Sequence, residues 1–338
     1  MEAFLEFEKP IVNLEKKLTE LRELNQSGET DVSDEIRTLE TKLRTLIDEV
    51  FSKLTPWQKV QLSRHPNRPY AKDYIDALFS DFMELHGDRC FGDDAAILAG
   101  IGVWGGAEPM PVMIIAHQKG RTTKQKMERN FGMARPEGYR KAVRLMQLAH
   151  RCKMPIVTFI DTPGAFPGAD AEERGQSQAI AESIQCMFGL DVPVIAIVIG
   201  EGGSGGALAI GVADHVMMQE YSTYSVISPE SCASILWSDS SLAEKASDKL
   251  KMNPNELLKM GVIDEIIPEP HGGAHRDWEK AQALMKKSLE KILKPLILKQ
   301  KKKVARATTK TRIEKFRQIG AFAIAQTPRD PDSEDAST

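Results

Sequence analysis

Residues 192–214, VPVIAIVIGEGGSGGALAIGVAD, decide how this chain is read. Residues 194–199 are an apolar run of Val, Ile and Ala, the composition of a strand buried on both faces. The run breaks into Gly200-Glu201-Gly202-Gly203-Ser204-Gly205-Gly206, and residues 207–210 (ALAI) read as the first turns of a buried helix. Strand, glycine-rich turn and helix start form a recurrent unit. Glycine has no Cβ to hold a ligand away from the backbone. The N–H groups of a helix start lack internal partners, and the helix dipole favours negative charge beside them. The stretch therefore reads as an anion or oxyanion site. A tightly packed turn that binds nothing is the plain alternative.

Working outward, the same pattern recurs upstream. Residues 155–160 (PIVTFI) form a strand followed by Asp161-Thr162-Pro163-Gly164-Ala165-Phe166-Pro167-Gly168. Residues 111–116 (PVMIIA) form another, followed by His117-Gln118-Lys119-Gly120-Arg121, and residues 96–103 are strand-like. Residues 137–151 read as an amphipathic helix with Ala142, Leu145, Met146 and Ala149 inward, and residues 171–188 as one long helix. Short strands follow at 215–218 and 223–227, then a helix at 229–237 opening on Pro229, a late strand at 262–267 and a long helix at 277–299. Strands alternating with helices predict an α/β fold with a parallel sheet and right-handed crossovers.

The flanks differ. Within residues 10–54, Ile11, Leu14, Leu18 and Leu21 repeat at helical spacing, as do Ile36, Leu39, Leu43, Leu46 and Val50, with a turn cluster at 27–31 between them. Two helices alone make a weak fold, so this hairpin is expected to pack on the main body or a partner, with a coiled-coil dimer as the alternative. Residues 64–70 are a proline-punctuated connector, and residues 73–85 read as a helix with Tyr74, Ile75, Leu78, Phe79 and Phe82 on one face. Residues 299–315 are basic, expected as a solvated helical face rather than a nucleic-acid arm, and residues 327–338 as a disordered acidic tail. The expected divisions are 1–90 (helical extension), 91–300 (main domain) and 301–338 (C-terminal segment).

Of the 338 residues, 41% are hydrophobic and 28% charged, enough for a sizeable core. A net charge of −3 gives no pointer to nucleic acid or membrane, and no run approaches the roughly 18 apolar residues of a span. The four cysteines are widely spaced and include no CxxC pair, which predicts a reducing, cytoplasmic protein with buried thiols.

Three loops, 117–121, 161–168 and 200–206, leave the C-terminal ends of expected parallel strands, where open α/β sheets bind ligands. A GTPase reading of Asp161-Thr162-Pro163-Gly164 fails because no G-x-x-x-x-G-K-[ST] precedes it. Ser204 as a nucleophile would need a base from His117 or His215, and its glycine context matches a nucleophile elbow only loosely. His271 and His275 have one acid nearby, Asp277, which is no metal-ligand set. What remains is backbone donors, suited to a reaction whose transition state is enolate-like and whose base comes from a substrate or cofactor.

Six separated motifs then carry a resemblance: residues 113–120 (MIIAHQKG), 130–140 (NFGMARPEGYR), 158–168 (TFIDTPGAFPG), 172–178 (EERGQSQ), 199–211 (IGEGGSGGALAIG) and 221–237 (YSTYSVISPESCASILW). Together they resemble the α subunit family of bacterial acetyl-CoA carboxylase carboxyltransferases, over roughly residues 1–270. The resemblance implies a crotonase-like (ClpP/crotonase) core of repeated ββα units in a spiral, with an N-terminal helical hairpin and C-terminal helices. It implies an α₂β₂ enzyme acting with a zinc-bearing β subunit, a biotin carboxyl carrier protein and a biotin carboxylase. That enzyme moves the carboxyl group of carboxybiotin to acetyl-CoA, giving malonyl-CoA. Biotin would not be covalently bound to this chain, and no metal is expected in it. By resemblance the amides of Gly205 and Gly206 hold the biotin oxyanion, and a side chain at 205 would occupy the oxyanion position. Gly164, Ala165, Phe166, Gly168, Gly203 and Ala207 would line the biotin pocket, and Lys119 and Arg121 would face the CoA phosphates. The other readings kept open are a ClpP-like serine peptidase using Ser204 and a non-catalytic subunit whose glycine turn only packs.

Overall fold

The computed structural model describes residues 4–27, 31–105, 109–301 and 305–320. The chain begins with paired helices α1 (Lys9–Ser27) and α2 (Ser33–Phe51), then α3 (Pro56–Ser63) and α4 (Ala71–Leu78). Strands β1 (Phe79–Glu84), β2 (Ile97–Trp104) and β3 (Met110–His117) follow, then α5 (Thr123–Glu128), α6 (Pro136–Cys152) and β4 (Ile156–Thr162). Next come α7 (Ala169–Glu173), α8 (Gln176–Phe188), β5 (Val194–Gly203), α9 (Ser204–Leu208), β6 (His215–Gln219) and β7 (Thr223–Ser225). The remainder is α10 (Pro229–Trp237), α11 (Ala243–Leu250), α12 (Pro254–Lys259), β8 (Glu265–Ile267), α13 (Trp278–Lys301) and α14 (Ala305–Gln318).

One eight-stranded sheet runs β1-β2-β3-β4-β5-β6-β8, with β7 added beside the end of β5. The parallel expectation holds from β3 onward, but β1, β2 and β3 pair antiparallel. The link between β2 and β3 is too short for a crossover, so a hairpin is the only connection open to it. Both faces of the sheet are covered. Along β5, Val194, Ala196 and Val198 enter the core beneath α6 and α8, while Ile195, Ile197 and Ile199 enter the core shared with α4 and α13. This is why β5 shows no polar alternation.

Two helices expected from periodicity end early. The apolar face read over 73–85 is a helix only to Leu78; the chain then extends as β1, an edge strand on β2. Its close approach explains two glycines of β2, since a Cβ on Gly100 would stand 2.1 Å from the Met83 carbonyl oxygen. The sheet therefore begins inside the 1–90 segment. The long helix expected over 171–188 is broken at Gly175, which takes a left-handed φ of +80° and separates α7 from α8.

The N-terminal hairpin packs on the body of the same chain. Ile11, Ile47 and Phe51 meet Leu62 and Tyr221 in a third apolar cluster, and Glu8 and Asp48 reach His275 and His271. The basic C-terminal segment is more than a solvated face. Arg312 of α14 is buried and donates to Asp214 and to the carbonyls of Met187, Leu190 and Val192. The acidic tail lies outside the described residues. The thiols are not buried as expected: Cys90 and Cys152 are exposed, and Cys186 and Cys232 are half-buried. Among the described residues no helix is long and apolar enough to cross a membrane.

Candidate active site

The three strand-end loops do converge, and one lysine joins them. Lys119, just past β3, places Nζ 2.8 Å from Asp161 of β4 and 2.8 Å from Glu201 of β5. Glu201 also accepts from Arg64 at 2.6 Å, and Arg64 pairs with Glu230 at the start of α10. Burial alone would depress the Lys119 ammonium, but Asp161 and Glu201 outweigh it and raise its pKa. Burial pushes the Asp161 carboxyl up. Glu201 is also penalised by burial, yet Lys119 and Arg64 bring it below the ordinary carboxylate range. Lys119 is thus held in ion pairs within the chain. Arg121 is similarly engaged: it pairs with Asp73, and its guanidinium lies 4.6 Å from the Tyr70 ring centroid and 4.4 Å from that of Trp278.

The glycine turn is built against the 163–168 loop. A Cβ on Gly203 would stand 2.1 Å from the Pro163 carbonyl oxygen, and one on Gly206 would stand 2.6 Å from Ala165 N. Packing therefore requires both glycines. Gly205 differs, because an added Cβ would meet only Ile180, at 3.7 Å. That is ordinary contact, so packing does not require glycine there. An added Cβ there would point toward Ile180 of α8. The amides of Gly205 and Gly206 open α9 and have no acceptor within that helix. Ala207, next along, is fully buried beneath the turn.

The facing loop is fixed by neighbours. Thr162 Oγ1 accepts from Gly164 N at 3.1 Å and donates to the Gly164 carbonyl at 2.7 Å. Phe166 N donates to the Ala134 carbonyl, and Gln176 Nε2 donates to the carbonyls of both Ala134 and Phe166 at 2.9 Å. Arg135 lies 4.2 Å above the Phe166 ring, and Gly168 has no side chain because the ring edge fills that space. Gly164, Ala165 and Phe166 are half-buried, and Gly164 and Ala165 pack against Gly206.

Ser204 is exposed, with a φ of +50° at the strand–helix junction, yet no hydrogen bond joins it to a base among the described residues. His215 opens β6 and lies 3.5 Å from Glu265. It pairs with Ile195, nine positions before Ser204 on β5, so about 30 Å of strand separates it from that serine. His117 is fully buried beside the Gly206 backbone; burial and then the Lys119 charge push its pKa down to about 3. It is neutral at physiological pH. A separate cluster under the N-terminal hairpin brings atoms of Glu8, His65 and His275 within 4.8 Å of one another. There His275 Nε2 is 2.8 Å from a Glu8 oxygen that Arg276 also approaches. The sequence reading gave His275 no such partner, because Glu8 lies at the far end of the chain.

The acetyl co-enzyme A carboxylase carboxyltransferase-like family model matches residues 4–320. This chain belongs to that family. It is 54% identical over 326 residues to the acetyl-coenzyme A carboxylase carboxyl transferase subunit alpha of Geobacillus sp. (strain WCH70), covering 96% of this chain and 98% of that one. It is 57% identical over 290 residues to the subunit of the same name from Thioalkalivibrio sulfidiphilus, covering 86% and 90%. Among solved structures, the transcarboxylase 12S core superposes with a TM-score of 0.55 at 18% identity, over 68% of this chain and 42% of that one. The beta subunit of P. aeruginosa geranyl-CoA carboxylase gives 0.50 at 16%, over 70% and 44%. The chain thus spans about two fifths of these longer solved chains, and at such identities the likeness establishes the crotonase-like fold.

The resemblance read from six motifs is the family found. Side-chain packing around the site was the part sequence reasoning missed. Arg64, Arg135, Asp161 and Gln176 had no assigned role. The available signal was Asp161 itself, an acid near the end of a fully buried strand, which has to be paired when buried.

Proposed function

We propose that this chain is the α subunit of a biotin-dependent acetyl-CoA carboxyltransferase, carrying the half of the active site that receives carboxybiotin. The observation that carries this reading is the Gly205-Gly206 turn. It places the backbone amides of a helix start at a strand end, packed beside the 164–166 loop, at a position where packing leaves Gly205 unexplained. The family membership supports the same reaction.

Carboxybiotin, delivered as a substrate on a carrier protein, supplies both the carboxyl group and the base that removes a methyl proton from acetyl-CoA, and the products are malonyl-CoA and biotin. The chain's own contribution is positioning and charge stabilisation. The two amides donate to the oxygen on which negative charge develops, a contribution worth roughly 3 kcal/mol per donor. Phe166, backed by Arg135, provides an apolar wall for a ring system, and Gln176 keeps the loop carrying it in place. The neutral His117 adds no charge beneath the turn.

The acyl-CoA side belongs to a partner, a zinc-bearing β subunit in an α₂β₂ assembly served by the carrier protein and a biotin carboxylase. The surface beside the turn supports a partner there. Ser225 pairs with Gly203, and just beyond it Val226 is 78% exposed, with Ile235 and Leu236 of α10 at 74% and 61%. The test is carboxyl exchange between malonyl-CoA and biocytin by the chain co-purified with its partner. Exchange is the expected result, and its absence from an assembled complex contradicts the reading.

A further inference from the structure

We propose that Lys119 is a positioning residue, a strut whose ammonium sets the spacing between the 163–168 loop and the 203–206 turn; this rests on reading those two loops as the carboxybiotin side of the site. Two residues past β3, the Lys119 side chain crosses to the ends of β4 and β5. Its Nζ lies 2.8 Å from Asp161 Oδ1 and 2.8 Å from Glu201 Oε2. The same Asp161 oxygen accepts from Glu201 N at 3.0 Å, which closes a triangle. Each acid immediately precedes one loop: Asp161 leads into 162–168 and Glu201 into 202–206.

The β4–β5 ladder is regular from Ile156 to Ile160, shifts register across Asp161 and Glu201, and resumes at the Thr162–Gly202 pair. The ion pairs bridge this break in the ladder, at the root of both loops. Their side chains are only 14%, 5% and 13% exposed for Lys119, Asp161 and Glu201, so water screens them little. Lys119 and Asp161 also pack closely on neighbouring backbone, since a Cβ on Gly132 would stand 2.9 Å from Lys119 Cγ and one on Gly200 would stand 2.4 Å from Asp161 Oδ1. Arg64 holds Glu201 from its other side and continues to Glu230, so removing Lys119 leaves Glu201 with a partner and Asp161 without a cation.

The test is amide hydrogen exchange on the full chain with its co-purified partner, comparing wild type, Lys119→Met and the charge-balanced Lys119→Met/Asp161→Asn. In both variants, exchange of peptides covering 163–168 and 203–206 is expected to accelerate together by about tenfold or more, while peptides of β2 keep the wild-type rate. In the exchange assay, kcat falls about tenfold, with the KM for malonyl-CoA within about twofold of wild type. Unchanged protection in either loop overturns the proposal, as does wild-type kcat in the double variant. If Lys119→Met alone does not fold, the double variant is read in the same way. Failure of the double variant to fold also overturns it, because Lys119 would then serve folding rather than spacing. If the wild-type complex exchanges no carboxyl group, the functional reading fails, and the hydrogen-exchange result still decides the strut.

Discussion

Gly206 and Gly164 touch backbone to backbone: a Cβ on Gly206 would stand 2.6 Å from the Gly164 carbonyl carbon. The two loops of the site are therefore packed to a fixed gap. Gly206→Ala must push them apart, and carboxyl transfer is expected to fall by about a hundredfold or more. Gly205→Ala, whose Cβ finds ordinary room beside Ile180, is expected to keep wild-type stability and assembly. Thermal melts and exchange rates of the two variants check this; wild-type exchange in Gly206→Ala, or a lowered melting temperature in Gly205→Ala, contradicts it.

Gln176 is expected to act on biotin affinity alone. Its amide bridges the carbonyls of Ala134 and Phe166 from a buried position. Gln176→Leu leaves both carbonyls without that donor, at a cost of about 1–3 kcal/mol for the buried Ala134 carbonyl. The Phe166 wall should loosen, raising the KM for biocytin about tenfold while the KM for malonyl-CoA stays near wild type. Parallel changes in both constants would contradict this role.

His117 ties stability to pH. Its folded pKa of about 3 lies below the ordinary 6.5, so between those values the unfolded chain binds a proton that the folded chain refuses. Its contribution is fully present above pH 6.5 and is lost as pH falls through that window. At pH 5 the loss is about 2 kcal/mol. Urea denaturation at pH 7 and pH 5 should show a difference smaller by about that amount in His117→Gln. An unchanged difference contradicts the assignment.

Arg312 anchors α14. Its guanidinium has no exposed surface and serves Asp214 and three carbonyls. Arg312→Ala strands a buried carboxylate and is expected to cost about 3–5 kcal/mol, read as a lower urea midpoint. Arg312→Ala/Asp214→Asn should recover part of that loss; no recovery would contradict the pairing.

Most of the architecture could be read from local pattern. Residues 194–199 announce β5 by their apolar run, and the turn after it announces α9 by its glycines. Where reading failed, the deciding contact was distant or conformational. The aromatic face around Phe79 and Phe82 suits helix or strand, and pairing with β2 chose strand. Gly175 broke a good helical period by adopting a left-handed φ. Lys119 looked like a solvent-facing cation because its partner Glu201 is 82 positions away. Local spacing says nothing of such a pair; only the sheet order brings β3, β4 and β5 side by side.

The central claim, that this chain is half of a carboxyltransferase site, is tested most directly by assaying malonyl-CoA-to-biocytin carboxyl exchange with the chain alone and with the complex purified from its native host. The account predicts exchange by the complex and none by the chain alone. Full activity of the isolated chain, or an assembled complex that exchanges nothing, would contradict it.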